Sequence, residues 1–149
     1  MATTSEWTVP EAIQTYFSTG LNSLADGSFV GVGSAITNET GSPALYQYIW
    51  LELVLAALSP AAGAFVDVWF VPTLDGSNYA DAGKPLQAQL LATTFQLDTT
   101  ASTAQRIVTP RPILLPALDF KLNLRNKAGV SFAASGNTLK YRRSYEQGV

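Results

Sequence analysis

Tyr48-Ile49-Trp50-Leu51-Glu52-Leu53-Val54-Leu55, joined through Ser59-Pro60-Ala61-Ala62-Gly63 to Phe65-Val66-Asp67-Val68-Trp69-Phe70-Val71, is the stretch that decides the fold class. In the first run the odd positions Ile49, Leu51, Leu53 and Leu55 are aliphatic, while the even ones are Tyr48, Trp50, Glu52 and Val54. Successive side chains of an extended chain point to opposite faces, so a period of two rich in aromatic and β-branched residues specifies a strand. The second run repeats the pattern, with Val66, Val68 and Phe70 on one face and Phe65, Asp67, Trp69 and Val71 on the other. A short loop containing Gly between two such runs predicts an antiparallel hairpin. Glu52 and Asp67 then lie on adjacent strands, on a half-wet face, each flanked by aromatics.

Outward from that centre the chain keeps the same rhythm. Leu91, Thr93, Phe95 and Leu97 alternate with smaller or polar residues, Gln105–Thr109 reads as a short strand, and Pro110-Arg111-Pro112 closes it at an edge. Leu118, Phe120, Leu122 and Leu124 alternate with Asp119, Lys121, Asn123 and Arg125, the cleanest half-wet strand in the chain. Turns at Asn126–Gly129 and Ser135–Asn137 predict two more strands, Val130–Ala134 and Thr138–Arg143, and Glu146–Val149 is expected to fray. Towards the start, Phe29–Ile36 reads as a strand loosened by Gly31 and Gly33. Ile36 stands where a nucleotide-binding loop needs its third glycine, so a bulge or close backbone approach is the better reading. Ile13, Phe17, Leu21 and Leu24 recur at helical spacing behind Pro10, predicting one short helix over residues 10–24. Residues 1–9 read as an arm whose Trp7 ties it down, either on a neighbour or over its own domain. The sum is an all-β chain: an antiparallel β-sandwich, jelly-roll-like, of about eight strands with one short N-terminal helix, forming a single domain over residues 10–149.

Composition narrows the functions. The chain has 149 residues, of which 47% are apolar and only 13% charged. A typical soluble domain carries about 25% charged residues. So few charges suggest that part of the surface is covered by protein, in a homo-oligomer or larger assembly. No apolar run reaches the roughly 18 residues of a membrane helix, and the first residues lack the basic and apolar segments of a secretory signal. The net charge of −2 hides an asymmetry. Residues 1–98 hold nine acids and Lys84, a net of −8, whereas residues 99–149 hold eight bases with Asp119 and Glu146, a net of +6. Either the halves balance inside one molecule, or complementary edges meet between subunits.

The residues of common catalysis are missing. With no histidine and no cysteine, histidine triads and nearly all zinc sites are ruled out. Glu52 and Asp67 are the only carboxylate pair placed to serve a glycosidase, and a solvated or hydrogen-bonded role on a sheet face suits them better. Asp75, Asn78 and Asp81 could offer oxygens to a cation, but their spacing is not that of an EF-hand. The basic end Lys140, Arg142, Arg143, with Tyr141 and Tyr145 interleaved, is weaker than a nucleic-acid module's field and suits an edge charged against misaligned pairing. The residues imply no enzyme, no cofactor, no metal, no nucleic acid and no membrane.

Two segments add a resemblance. Asp67-Val-Trp-Phe-Val-Pro-Thr-Leu-Asp-Gly-Ser-Asn-Tyr79 and Phe120-Lys-Leu-Asn-Leu-Arg-Asn-Lys-Ala-Gly-Val-Ser-Phe-Ala-Ala-Ser-Gly-Asn-Thr-Leu-Lys-Tyr-Arg-Arg143 are similar to segments of tailed-bacteriophage virion proteins. The resemblance spans residues 64–143 and implies a small virion β-sandwich, a capsid cement (decoration) protein on the capsid surface. Its partners would be the major capsid protein and its own copies, as a trimer at threefold positions, after synthesis in the host cytoplasm. No catalytic residue comes with it. Sheet edges together with Trp7, Val9, Arg142, Arg143 and Tyr145 are then the candidate protein interface. The alternative is a tail or host-attachment module in which Trp50, Trp69 or Tyr79 stacks on sugar.

Overall fold

Ile49, Leu51, Leu53 and Leu55 are fully buried, as their alternation requires, and the strand that carries them, Tyr48–Leu55, lies inside a sheet. The computed structural model describes residues 5–30, 33–38, 46–80, 90–100 and 102–148. Its strands are β1 (Ser5–Trp7), β2 (Gln14–Phe17), β3 (Tyr48–Leu55), β4 (Phe65–Pro72), β5 (Leu91–Gln96), β6 (Gln105–Val108), β7 (Ile113–Leu114), β8 (Phe120–Lys127), β9 (Thr138–Ser144) and β10 (Glu146–Gly148). Every pairing is antiparallel. One sheet runs β2-β9-β3-β6, with β7 also on β3; the other runs β5-β4-β8; β1 and β10 form a third ladder of two. Phe29 and Ile36 bridge to Arg125 and Phe120, so the segment around them flanks the free side of β8.

The two larger sheets bury their apolar faces together in a sandwich-like arrangement. Val66, Val68 and Phe70 of β4, Phe120, Leu122 and Leu124 of β8, and Phe95 of β5 join the β3 aliphatics and Leu139 of β9 in one core. Fully burying a side chain of this size contributes about 1.5–3 kcal/mol.

Two expectations about local pairing are overturned. First, β3 and β4 are not a hairpin: β3 pairs with β6, β7 and β9, and β4 with β5 and β8. The segment around Ser59–Gly63 crosses between the sheets. It is pinned on the way, for the Ala56 N–H donates to Asn137 Oδ1 at 3.1 Å and the Ala61 N–H to the Ala128 carbonyl at 2.8 Å. An apolar alternation is the same for strands side by side and for strands facing each other across a core, so the pattern alone did not separate the cases. Second, residues 10–24 contain no helix. Gln14–Phe17 is a strand on the edge of β9, followed by turns that hold Leu21 in the core. Thr15, Thr19 and Gly20 disfavour a helix, and Ile13 is 59% exposed, so the helical stripe never formed a buried face.

The chain after β8 also differs. Val130–Ala134 is not a strand but a looped excursion that lodges Phe132 in the core, with the Phe132 N–H on the Leu24 carbonyl at 3.0 Å. Glu146–Gly148, expected to fray, pairs instead with Ser5–Trp7. Loops are held by buried asparagines. The Asn126 amide donates to the Leu24 and Val130 carbonyls at 2.9 and 2.8 Å, and its oxygen accepts the Ala128 N–H at 2.8 Å. Asn137 donates to Asn22 Oδ1 and the Ala133 carbonyl, and Asn38 to the Tyr46 and Pro116 carbonyls.

Candidate functional site

Antiparallel register decides which side chains share the outer face of the five-stranded sheet, because residues opposite one another point the same way. Trp50 of β3 stands opposite Arg142 of β9, Glu52 opposite both Lys140 of β9 and Val108 of β6, Val54 opposite Arg106, and Tyr48 opposite Leu114 of β7. The face therefore has an aromatic and aliphatic middle set among cations. Val108 is 50% and Leu114 70% exposed. Ile13, just ahead of β2, joins Trp50, Val108, Lys140 and Arg142 around an open pocket of about 180 Å³. A more open depression of about 340 Å³ continues past Trp50, Val108 and Arg142 to Pro10. Beside it in sequence, Val9 is 92% exposed. Drug-sized ligands occupy pockets of roughly 300–1,000 Å³, so the tighter of the two suits a single side chain from a partner surface.

Charge on this face is unevenly spent. Glu52 Oε2 accepts Arg106 Nε at 2.7 Å, and Glu52 Oε1 lies 3.6 Å from Lys140 Nζ. Arg142 has no such carboxylate among the described residues, and its Nε is buried without a hydrogen-bond partner. A guanidinium nitrogen left unsatisfied out of water is unfavourable.

The sequence-selected residues divide sharply. Arg143 points to the inner side and acts as an internal strut: its Nε and Nη2 grip the Glu11 carboxylate at 2.7 and 2.9 Å, its Nη1 donates to the Thr37 carbonyl at 2.8 Å, and its guanidinium lies 4.2 Å from the Tyr46 ring centre. Burial opposes that charge, but the Glu11 carboxylate outweighs it and holds Arg143 above its ordinary pKa. Tyr145 is half-buried, edge-on to Tyr46 at 6.0 Å, with its carbonyl accepting the Thr8 N–H and hydroxyl. The backbone of Trp7 pairs with Glu146, so the arm lies along its own domain. Of Val9, Arg142, Arg143 and Tyr145, Arg142 alone lines the pocket.

Among the stacking candidates, Trp50 borders the pocket, Trp69 is only 7% exposed against Phe29, and the Tyr79 ring is capped by Lys121 Nζ at 4.0 Å. Trp50 and Trp69 belong to different sheets, so the three form no common platform. The same separation parts Glu52 from Asp67, whose carboxylate accepts the Thr94 hydroxyl at 2.6 Å.

At the tip after β4, the Asn78 N–H and side-chain amide, the Ser77 N–H and the Thr73 hydroxyl converge on the Asp75 carboxylate and hold it well below the usual carboxylate range. Asp75 thus organises its own turn; Asp81 lies outside the described residues. Part of the charge asymmetry is met within the chain: Glu52–Arg106, Glu52–Lys140 and Glu11–Arg143 each join its acidic and basic parts. Alternation places Trp50 on the outer face of its strand, but its meeting with Val108, Ile13 and Arg142 depends on strand order, which single-strand patterns do not carry. No protein-family model and no curated protein matches the chain.

Proposed function

We propose that this chain is a non-enzymatic virion structural protein, a capsid cement that binds a phage head through the outer face of its five-stranded sheet. The observation that carries the reading is strand order. Counting the isolated bridges of Phe29 and Ile36 as a further ladder on β8, the two sheets run β2-β9-β3-β6 and bridges-β8-β4-β5. That order supports a jelly-roll reading, an architecture common in capsid and lectin domains. Fold alone does not choose between those uses. The face does favour one: Trp50 and Arg142 are the residue types enriched at protein-binding hot spots, and the exposed Ile13, Val108 and Leu114 surround them with apolar area. The separation of Trp50, Trp69 and Tyr79 counts against a sugar platform. The low charge content and the resemblance of residues 64–143 point the same way.

The test is cosedimentation of the purified chain with undecorated phage capsids, alongside its solution mass by light scattering. Saturable binding at a fixed number of copies per capsid, with a trimer in solution or on the particle, is the expected result. A monomer that ignores capsids and binds a glycan panel would overturn the cement reading in favour of host attachment.

A further inference from the structure

We infer that the Trp50–Arg142 pocket takes an acidic protein segment, an aspartate or glutamate next to an aliphatic or aromatic side chain, presented by the partner. This rests on the capsid-binding reading and names the chemistry that the face selects. The outer positions of β3, β6 and β9 carry three cations, Arg106, Lys140 and Arg142, against one carboxylate, Glu52. Glu52 is already shared by Arg106 and Lys140. The remaining cation, Arg142, has its Nε buried and unpartnered at the rim of the pocket, whose lining also includes Lys140 and the already neutralised Glu52.

A carboxylate arriving there would draw the Arg142 guanidinium towards it, and the buried N–H would turn outward to form a charge-assisted bond in a partly dry setting, where such bonds are strongest. The neighbouring side chain of the segment would settle into the space of about 180 Å³ between Ile13, Trp50 and Val108. A basic segment would meet net positive charge, and a purely apolar one would leave Arg142 unsatisfied. The face therefore discriminates by penalty as well as by attraction.

The experiment titrates wild-type chain, Arg142→Gln, Trp50→Ala, Val108→Asp and the control Leu74→Ala, 87% exposed on the distant tip, onto undecorated capsids. Circular dichroism and melting confirm that each is folded. Arg142→Gln should weaken binding about 10- to 100-fold, and Trp50→Ala at least about 30-fold. Val108→Asp should weaken it at least tenfold through charge repulsion, keeping the test decisive should Trp50→Ala not fold, and Leu74→Ala should bind as wild type. Wild-type binding that all three pocket variants retain would overturn the inference and leave the cement reading standing. If wild type ignores capsids, the cement reading fails by itself, and the pocket is then judged with a synthetic Glu/Phe-rich peptide. Saturable quenching of tryptophan fluorescence that Arg142→Gln abolishes upholds the inference. Silence towards the peptide, or a response only to uronic-acid glycans, refutes it.

Discussion

Asn123 and Asn126 lie three positions apart on β8, both fully buried, yet substitution should change stability very unequally. Asn126 makes three hydrogen bonds of 2.8–2.9 Å to the backbone of Leu24, Val130 and Ala128. Asn126→Ala strands the Val130 carbonyl and the Ala128 N–H, each costing about 1–3 kcal/mol when left unmade, while the Leu24 carbonyl keeps the Phe132 N–H. Relaxation of the loops recovers part of this, leaving a loss of about 2–4 kcal/mol. With a urea m value of about 2 kcal/mol/M for a domain of this size, the unfolding midpoint should fall by about 1–2 M. Asn123 is the reverse case, since neither amide atom has a hydrogen-bond partner among the described residues. Asn123→Leu keeps the branched skeleton but is bulkier, so relief of the unmet amide is offset in part by crowding beside Trp69, and the midpoint should stay within about 0.5 M of wild type. Equilibrium urea unfolding followed by tryptophan fluorescence and far-UV circular dichroism measures both. A midpoint drop under about 0.5 M for Asn126→Ala would refute the claim that this side chain holds the loops. A large drop for Asn123→Leu would show that its amide has a partner after all.

Glu11→Gln breaks the bidentate grip on Arg143, whose side chain is 13% exposed, and should destabilise by about 2–3 kcal/mol; a double-mutant cycle with Arg143→Gln that finds no coupling would sink this. Tyr16 is pushed up to about 12, chiefly by burial, against an ordinary value near 10. Its folded-state pKa is raised, so its contribution is intact below about pH 10 and fades as pH climbs towards 12. Burial raises Tyr141 as well, so absorbance at 295 nm should show a late phase beyond the ordinary tyrosines, and Tyr16→Phe should remove its last step. Gly27 and Gly129 both have positive φ, but a Cβ at Gly27 meets nothing within 4 Å, whereas one at Gly129 runs into the Ala61 Cβ. Gly27→Ala should thus cost about 1 kcal/mol and Gly129→Ala clearly more, in the same urea assay.

What the sequence made legible was the face each strand buries. Ile49–Leu55 and Phe120–Leu124 read as core from their alternation, and they are core. Pairing was less legible, because β3 and β4 carry matching apolar faces whether they sit beside each other or across a core. The Ile13–Leu24 pattern misled for a related reason: Phe17 and Leu21 are buried, but by a strand and the turn after it. Gly33 was readable as a close approach, and a Cβ there would sit 2.9 Å from the Tyr16 ring. In the candidate site, Arg142 and Arg143 look equivalent in sequence. Alternation turns one outward to the Trp50 pocket and the other inward to Glu11. The asparagine braces left no signal, since Asn126 and Asn137 occupy what any reading takes as ordinary turns.

The ladder between Ser5–Trp7 and Glu146–Gly148 has a mechanical consequence. Tension applied between residues 5 and 148 pulls across the strands, so their hydrogen bonds open one after another like a zipper instead of shearing together. The load next reaches the Thr8–Tyr145 bonds and the Glu11–Arg143 clasp, and only then the β2–β9 edge of the sheet. A peptide fused at either end would leave the protein from one shared point, and a hard pull on it would peel that margin while the sandwich stayed closed.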